Sequence, residues 1–266
     1  MPRGAPPLSK TNASETATGN RKALGRPTRR RTFASAAGAA RADEQTFEPY
    51  LLGLRAAERS HRRENRIGRL LRASQRPREK SWAALGTKRL PAKVVHQAKA
   101  LLDGGFVDRR ENVLVFGPPG SGKTHLLCAV AQELVRSGRK VLFTTCNLLV
   151  QELLLAKKEL KLPKALKRLG SYAALMVDDL GYVQQRREEM EVLFALLAER
   201  YERGSVLLTS NLAFSGRESI FKDPMTTAAA IDRLVHHSVI VELNVPSYRA
   251  EQAKNRRART TTETTA

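Results

Sequence analysis

Eight consecutive residues carry the clearest chemistry in this chain: Gly117, Pro118, Pro119, Gly120, Ser121, Gly122, Lys123 and Thr124. They match the spacing G-x-x-x-x-G-K-[ST], in which glycines let successive backbone N–H groups turn inward around phosphate oxygens. In such a loop Lys123 reaches the β- and γ-phosphates of a nucleoside triphosphate such as ATP, and the Thr124 hydroxyl is a ligand for Mg2+. The loop works only between a strand and a helix, because the helix N-terminus adds its own positive potential. Both flanks are legible. Residues 112–116 read as a buried parallel strand, and the apolar run 126–131 reads as a helix without a breaker.

A phosphate loop needs acids to hydrolyse anything quickly. Residues 174–179 supply them, an apolar strand that closes on Asp178 and Asp179. At the carboxyl end of a parallel strand, Asp178 can hold the Mg2+ that bridges β- and γ-phosphates. Asp179 points elsewhere and can orient or deprotonate the attacking water. Two buried acids would be costly without a cation or hydrogen-bond partners. Asn211 closes the next strand, where an amide can position water near the γ-phosphate, although Asn is also a common cap or turn residue. Arg233 precedes the last strand and has two readings. It reaches from one subunit to the phosphoryl group bound by another, or it pairs with Asp232 at the surface.

These groups need a scaffold, and the pattern along the chain names one. Strands over 112–116, 140–145, 175–177, 205–209 and 239–243 alternate with helices that end near 137, 158, 203 and 236, with a further short helix after Pro163. Alternation of this kind predicts an α/β fold, a parallel sheet with helices on both faces.

The net charge of +21 is spread unevenly. Residues 1–110 hold 25 Lys and Arg against 9 Asp and Glu, residues 111–246 hold 17 against 15, and residues 247–266 hold 5 against 2. A near-neutral core with basic flanks points to a polyanionic partner, most often nucleic acid. The expected organisation is a disordered basic arm (1–43), a basic helical module and linker (44–110), the nucleotide-binding domain (111–246) and a basic tail (247–266). Within the module, Arg59, Arg62, Arg63, Arg66, Arg69 and Arg72 recur every three or four residues, which lays a basic stripe along a helix. The stripe reads equally as a solvated face or as a surface for DNA or a partner. Trp82 covers the base or plugs a gap; the sequence does not choose.

Cys128 and Cys146 fit no metal spacing and suggest a reducing compartment. No apolar run approaches the roughly 18 residues of a membrane span. The first ~40 residues lack the apolar stretch of a secretory signal. Their Arg-, Ser- and Ala-rich make-up resembles a transit peptide, with a disordered arm the simpler reading. A cytoplasmic protein is expected.

Taken together, the motifs resemble the IstB-like ATP-binding proteins, helper ATPases of insertion-sequence transposition, and more loosely the DnaC-type helicase loaders of the AAA+ class. The likeness is carried by Glu111 to Leu114, the loop with His125 and Leu126, Asp178-Asp179-Leu180-Gly181-Tyr182, Thr209-Ser210-Asn211 and Asp232-Arg233-Leu234. Glu64-Asn65-Arg66 and Ser247-Tyr248-Arg249 add to it. The resemblance implies an AAA+ P-loop fold preceded by a small basic helical module. It implies an ATP-dependent homo-oligomer, with nucleotide at subunit interfaces, that assembles on duplex DNA and recruits or regulates a transposase. A helicase loader is the alternative, and a scaffold that only holds nucleotide is opposed by the paired acids. By position, the resemblance makes Asp179 the water-side acid, Asn211 the sensor and Arg233 the finger. The chain departs from the class in three places. Asp179 stands where many AAA+ ATPases carry Glu, no lid with a second sensor arginine follows Leu243, and the Trp of relatives is absent from 216–224.

Overall fold

The computed structural model describes residues 27–43, 46–77, 79–180, 187–211, 234–248 and 251. The chain forms two compact units, Met1–Gly68 and Arg69–Ala266.

Among the described residues, the first unit is helical. Helix α1 spans Pro27–Ala42, inside the stretch expected to be a disordered arm. Alanine has the highest helix propensity of any residue, and Ala36, Ala37, Ala39, Ala40 and Ala42 crowd its second half. Pro27 sits at the first helical position, where its fixed φ is compatible with a helix. Local propensity here wins over a composition that offers little to bury. Helix α2, Phe47–Ala73, begins in this unit. Arg59, Arg62, Arg63, Arg66, Arg69 and Arg72 are all exposed, so the stripe faces water. The Arg62 guanidinium donates to the Glu58 carboxylate one turn earlier at 2.8 Å.

Among the described residues, the second unit is built around five parallel strands: β1 (Asn112–Phe116), β2 (Val141–Thr145), β3 (Ala174–Leu180), β4 (Ser205–Ser210) and β5 (Ser238–Glu242). Their spatial order is β2-β3-β4-β1-β5. Helices α3 (Ala92–Leu102), α4 (Gly105–Asp108) and α5 (Lys123–Arg136) cover one face of the sheet. Helices α6 (Cys146–Lys158), α7 (Leu162–Gly170) and α8 (Arg187–Arg200) cover the other. Successive strand side chains point to opposite faces, so a sheet buried on both sides reads as an unbroken apolar run. On β1, Val113 and Val115 face α5 while Leu114 and Phe116 face α8 and its neighbours. Ala174 and Met176 of β3 divide from Leu175 and Val177 in the same way.

Residues 69–110, read from the sequence as the far end of the basic module and linker, belong to the second unit. Val94, Ala98 and Leu101 of α3 and Phe106 of α4 are buried in its core, with Leu70, Leu71 and Trp82 packed against them. Trp82 is half-buried on the α5 side of the sheet. The helix expected over 226–236 lies almost wholly outside the described residues.

Arg200, at the end of α8, is buried, and among the described residues no carboxylate pairs with it. Its guanidinium donates to the carbonyls of Leu169 (3.1 Å), Tyr172 (3.1 Å), Ala173 (3.3 Å) and Ser205 (2.8 Å). These carbonyls lie where α7 ends and where β3 and β4 begin, and a cation suits a helix C-terminus. Gly204 leaves room for that guanidinium, which a Cβ would strike. Burial pulls its pKa down to about 10, which still leaves it charged at neutral pH.

Both thiols are small buried hydrophobes. Burial pushes Cys128 and Cys146 up to about 12. The native protein at pH 8 is expected to react with a disulfide reagent far more slowly than the denatured protein, followed as thiol release. The sign for stability follows as well. An unfolded thiol ionises near 9 and the folded one near 12, so this contribution is intact below 9 and is lost as pH rises through 12.

Candidate nucleotide-binding site

The loop over 117–124 joins β1 to α5 as its spacing requires. Gly120 and Gly122 adopt φ of +81° and +101°, a left-handed region that a side chain would strain. The Leu126 N–H donates to the Gly122 carbonyl, and the helix starts at once at Lys123. The loop then sits on the N-terminus of a 14-residue helix, whose first-turn N–H groups lack intrahelical partners and suit phosphate.

Lys123 is 5% exposed. Its ammonium donates to the carbonyls of Gly117 (2.8 Å) and Pro118 (2.9 Å) and to Asn211 Oδ1 (2.7 Å). The last contact depends on strand order. Strand β4 pairs directly with β1, with Phe116 opposite Ser210, so Asn211 emerges at the mouth of the loop. Strand β3 lies one place further out, beyond β4. Asp178, 7% exposed at its end, accepts from Thr124 Oγ1 at 2.9 Å. The same Oδ1 accepts from Thr209 Oγ1 at 2.6 Å. Asp179 has φ of +59°, and its Oδ1 lies 3.4 Å from Asn211 Nδ2.

Lys123, Thr124, Asp178, Asp179 and Asn211 are thus brought together, along with the glycines, prolines and Ser121 of the loop. Arg233 lies outside the described residues, as do Gly181 and Tyr182. Thr124 and Asp178 place two hard oxygen donors side by side at the carboxyl edge of the sheet. That donor chemistry fits Mg2+, which takes a few protein oxygens and completes its shell with phosphate and water.

Two partners of the site were not legible as such. Thr209 is one. The other is the segment after β5, read as the start of a basic tail. The Leu243 N–H donates to the Phe116 carbonyl (2.8 Å) and the Tyr248 N–H to the Gly120 carbonyl (3.0 Å). Ser247 occupies the space that a side chain at position 120 would need. Arg89 holds the same segment, 2.6 Å from the Glu251 carboxylate and over the Tyr248 ring. Gly120→Ala is accordingly expected to weaken nucleotide binding by about tenfold or more, since the loop must move off Ser247 or abandon its left-handed turn. Equilibrium titration with a fluorescent ATP analogue measures it.

The family of IstB-like ATP-binding proteins matches residues 20–256 of this chain. The chain belongs to that family.

A relative from Sinorhizobium fredii (strain NBRC 101917 / NGR234), called a putative insertion sequence ATP-binding protein, is 42% identical over 207 residues. The match spans 76% of this chain and 68% of that protein. Among solved structures, the DnaC helicase loader superposes with a TM-score of 0.52 at 20% identity, over 63% of this chain and all of that one. The replication initiator DnaA, bound to AMPPCP and single-stranded DNA, gives 0.53 at 17% identity, over 64% of this chain and 51% of that one. At these identities the likeness shows the fold, that of the AAA+ P-loop class. Among the described residues, no helix is long and apolar enough to cross a membrane.

Proposed function

We propose that this chain is a Mg2+-dependent ATPase of an insertion sequence, a cytoplasmic helper that assembles on duplex DNA as a homo-oligomer and recruits or regulates a transposase. The observation that supports hydrolysis most strongly is the hydrogen-bonded set Lys123–Asn211–Asp179 beside Thr124–Asp178, which places a cation, an amide and two acids around one point.

In this reading the N–H groups of 117–124 and the Lys123 ammonium bind the β- and γ-phosphates of ATP and hold them in line for attack. Thr124 and Asp178 would hold Mg2+, which when bound neutralises charge on the β- and γ-oxygens. The Asp179 carboxylate accepts a proton from the attacking water, and the Asn211 amide fixes that water's orientation. Arg233 is assigned to the phosphoryl group bound by a neighbouring subunit, where a guanidinium offsets charge in the transition state. Nucleotide held between subunits is what ties assembly to ATP.

The DNA surface is assigned to the arginine stripe of α2 and to the basic termini. Phosphate neutralisation releases counterions, so the logarithm of affinity falls with the logarithm of salt at a slope near −0.9 per contact. With all six stripe arginines engaged, a slope of about −5 is expected on duplex DNA. Reversing Arg59, Arg63 and Arg66 to Glu flattens it by about 3. Fluorescence anisotropy of a labelled duplex across a salt series, with and without ATP, measures both. A slope near zero, or duplex binding indifferent to ATP, contradicts the assignment. Preference for single strands favours a helicase loader.

A further inference from the structure

The geometry points to Thr209 as the positioning residue for both acids of the site, a role that rests on the ATPase reading and deepens it. Strands β3 and β4 pair in step from Ala174 opposite Ser205 to Val177 opposite Leu208, and pairing resumes at Leu180 opposite Ser210. Between those points β3 advances three residues and β4 two. Asp178 and Asp179 therefore share the place opposite Thr209, which makes a β-bulge. Bulges leave ladder groups unpaired and re-aim a side chain.

Thr209 resolves what the bulge disturbs. Its hydroxyl has one proton to donate and lone pairs to accept with. The proton goes to Asp178 Oδ1 at 2.6 Å, and the Asp179 N–H, displaced from the ladder, donates to Thr209 Oγ1 at 2.9 Å. The side chain is fully buried, so water does not compete for either bond. One hydroxyl thereby fixes the Asp178 carboxylate against Thr124 and the Asp179 backbone in its left-handed turn. From that turn the Asp179 carboxylate reaches toward Asn211, whose other amide atom accepts from Lys123.

The same turn accounts for the short acid. Left-handed φ is tolerated by Asp and Asn, whose side chains bond locally, and disfavoured in longer residues. Glu at 179 would strain the bulge that aims it.

Thr209→Val keeps the shape and removes the hydroxyl, while Thr209→Ser restores it. With the Asp179 N–H unbonded, its hydrogen exchange in nucleotide-free protein is expected to quicken about tenfold or more in Thr209→Val, with that at Val177 unchanged. Turnover is expected to fall about 100-fold, with affinity for ATP in EDTA within about twofold of the parent. Thr209→Ser recovers both exchange and turnover to within a few-fold, and Asp179→Glu lowers turnover by about tenfold. Unchanged exchange at Asp179, or full turnover in Thr209→Val, overturns the positioning role. A parent protein that binds ATP without turning it over overturns the ATPase reading instead, and the exchange measurement still decides the role of Thr209.

Discussion

Lys123→Ala is expected to lower ATP turnover by about 10²–10³-fold, the scale of losing one preorganised charge at a reacting phosphoryl group. The side chain is buried and donates to three oxygens within 2.9 Å, two from the loop and one from Asn211. Truncation removes the cation aimed at the β- and γ-phosphates and leaves Asn211 Oδ1 without this donor. Asn211 then loses the contact that holds its amide toward Asp179. Lys123→Arg is not expected to rescue the defect. A planar fork with five fixed donors does not match a point charge set among three converging oxygens. Phosphate release under steady-state conditions, alongside titration with a fluorescent ATP analogue, separates lost binding from lost chemistry.

The second large effect is on stability. Arg200→Ala is expected to destabilise the second unit by about 3–5 kcal/mol, the combined scale of buried carbonyls left short of a donor and of the cavity left by a large side chain. Four carbonyls lose the guanidinium, two of them keeping a backbone donor, and a cavity opens between the end of α7 and the start of β4. For a unit of this size that corresponds to a fall in Tm of about 10 °C, read by calorimetry. Arg200→Lys should recover little, since one ammonium cannot span carbonyls on three sides. Because Arg200 lies far along the sheet from the phosphate loop, ATP affinity measured well below the transition is expected to stay at the parent value.

Arg200 also illustrates what the sequence conceals. An arginine that ends a helix reads as solvated, and nothing in its neighbours announces four acceptors around α7, β3 and β4. The loop over 117–124 and the pair Asp178 and Asp179 were legible because each is local, a spacing tied to one strand and one turn. That Asn211 meets Lys123 follows from β4 lying between β1 and β3, an order that no strand pattern encodes. Thr209 reads as one more residue of a β-rich run, and the bulge that gives it two partners depends on register. The α1 helix shows the reverse case, where an arm poor in apolar side chains still has local alanine propensity. Arg233 and the helix expected to carry it remain a reading of the sequence.

The central claim is that the site hydrolyses ATP and does so for a DNA-bound assembly. Phosphate release by the full chain with Mg2+ and ATP, with and without duplex DNA, tests it most directly against Asp178→Asn as control. The expected result is Mg2+-dependent release that duplex DNA raises and that falls about 100-fold or more in Asp178→Asn. Tight ATP binding with no phosphate released in any of these conditions, or release undiminished in Asp178→Asn, would contradict it.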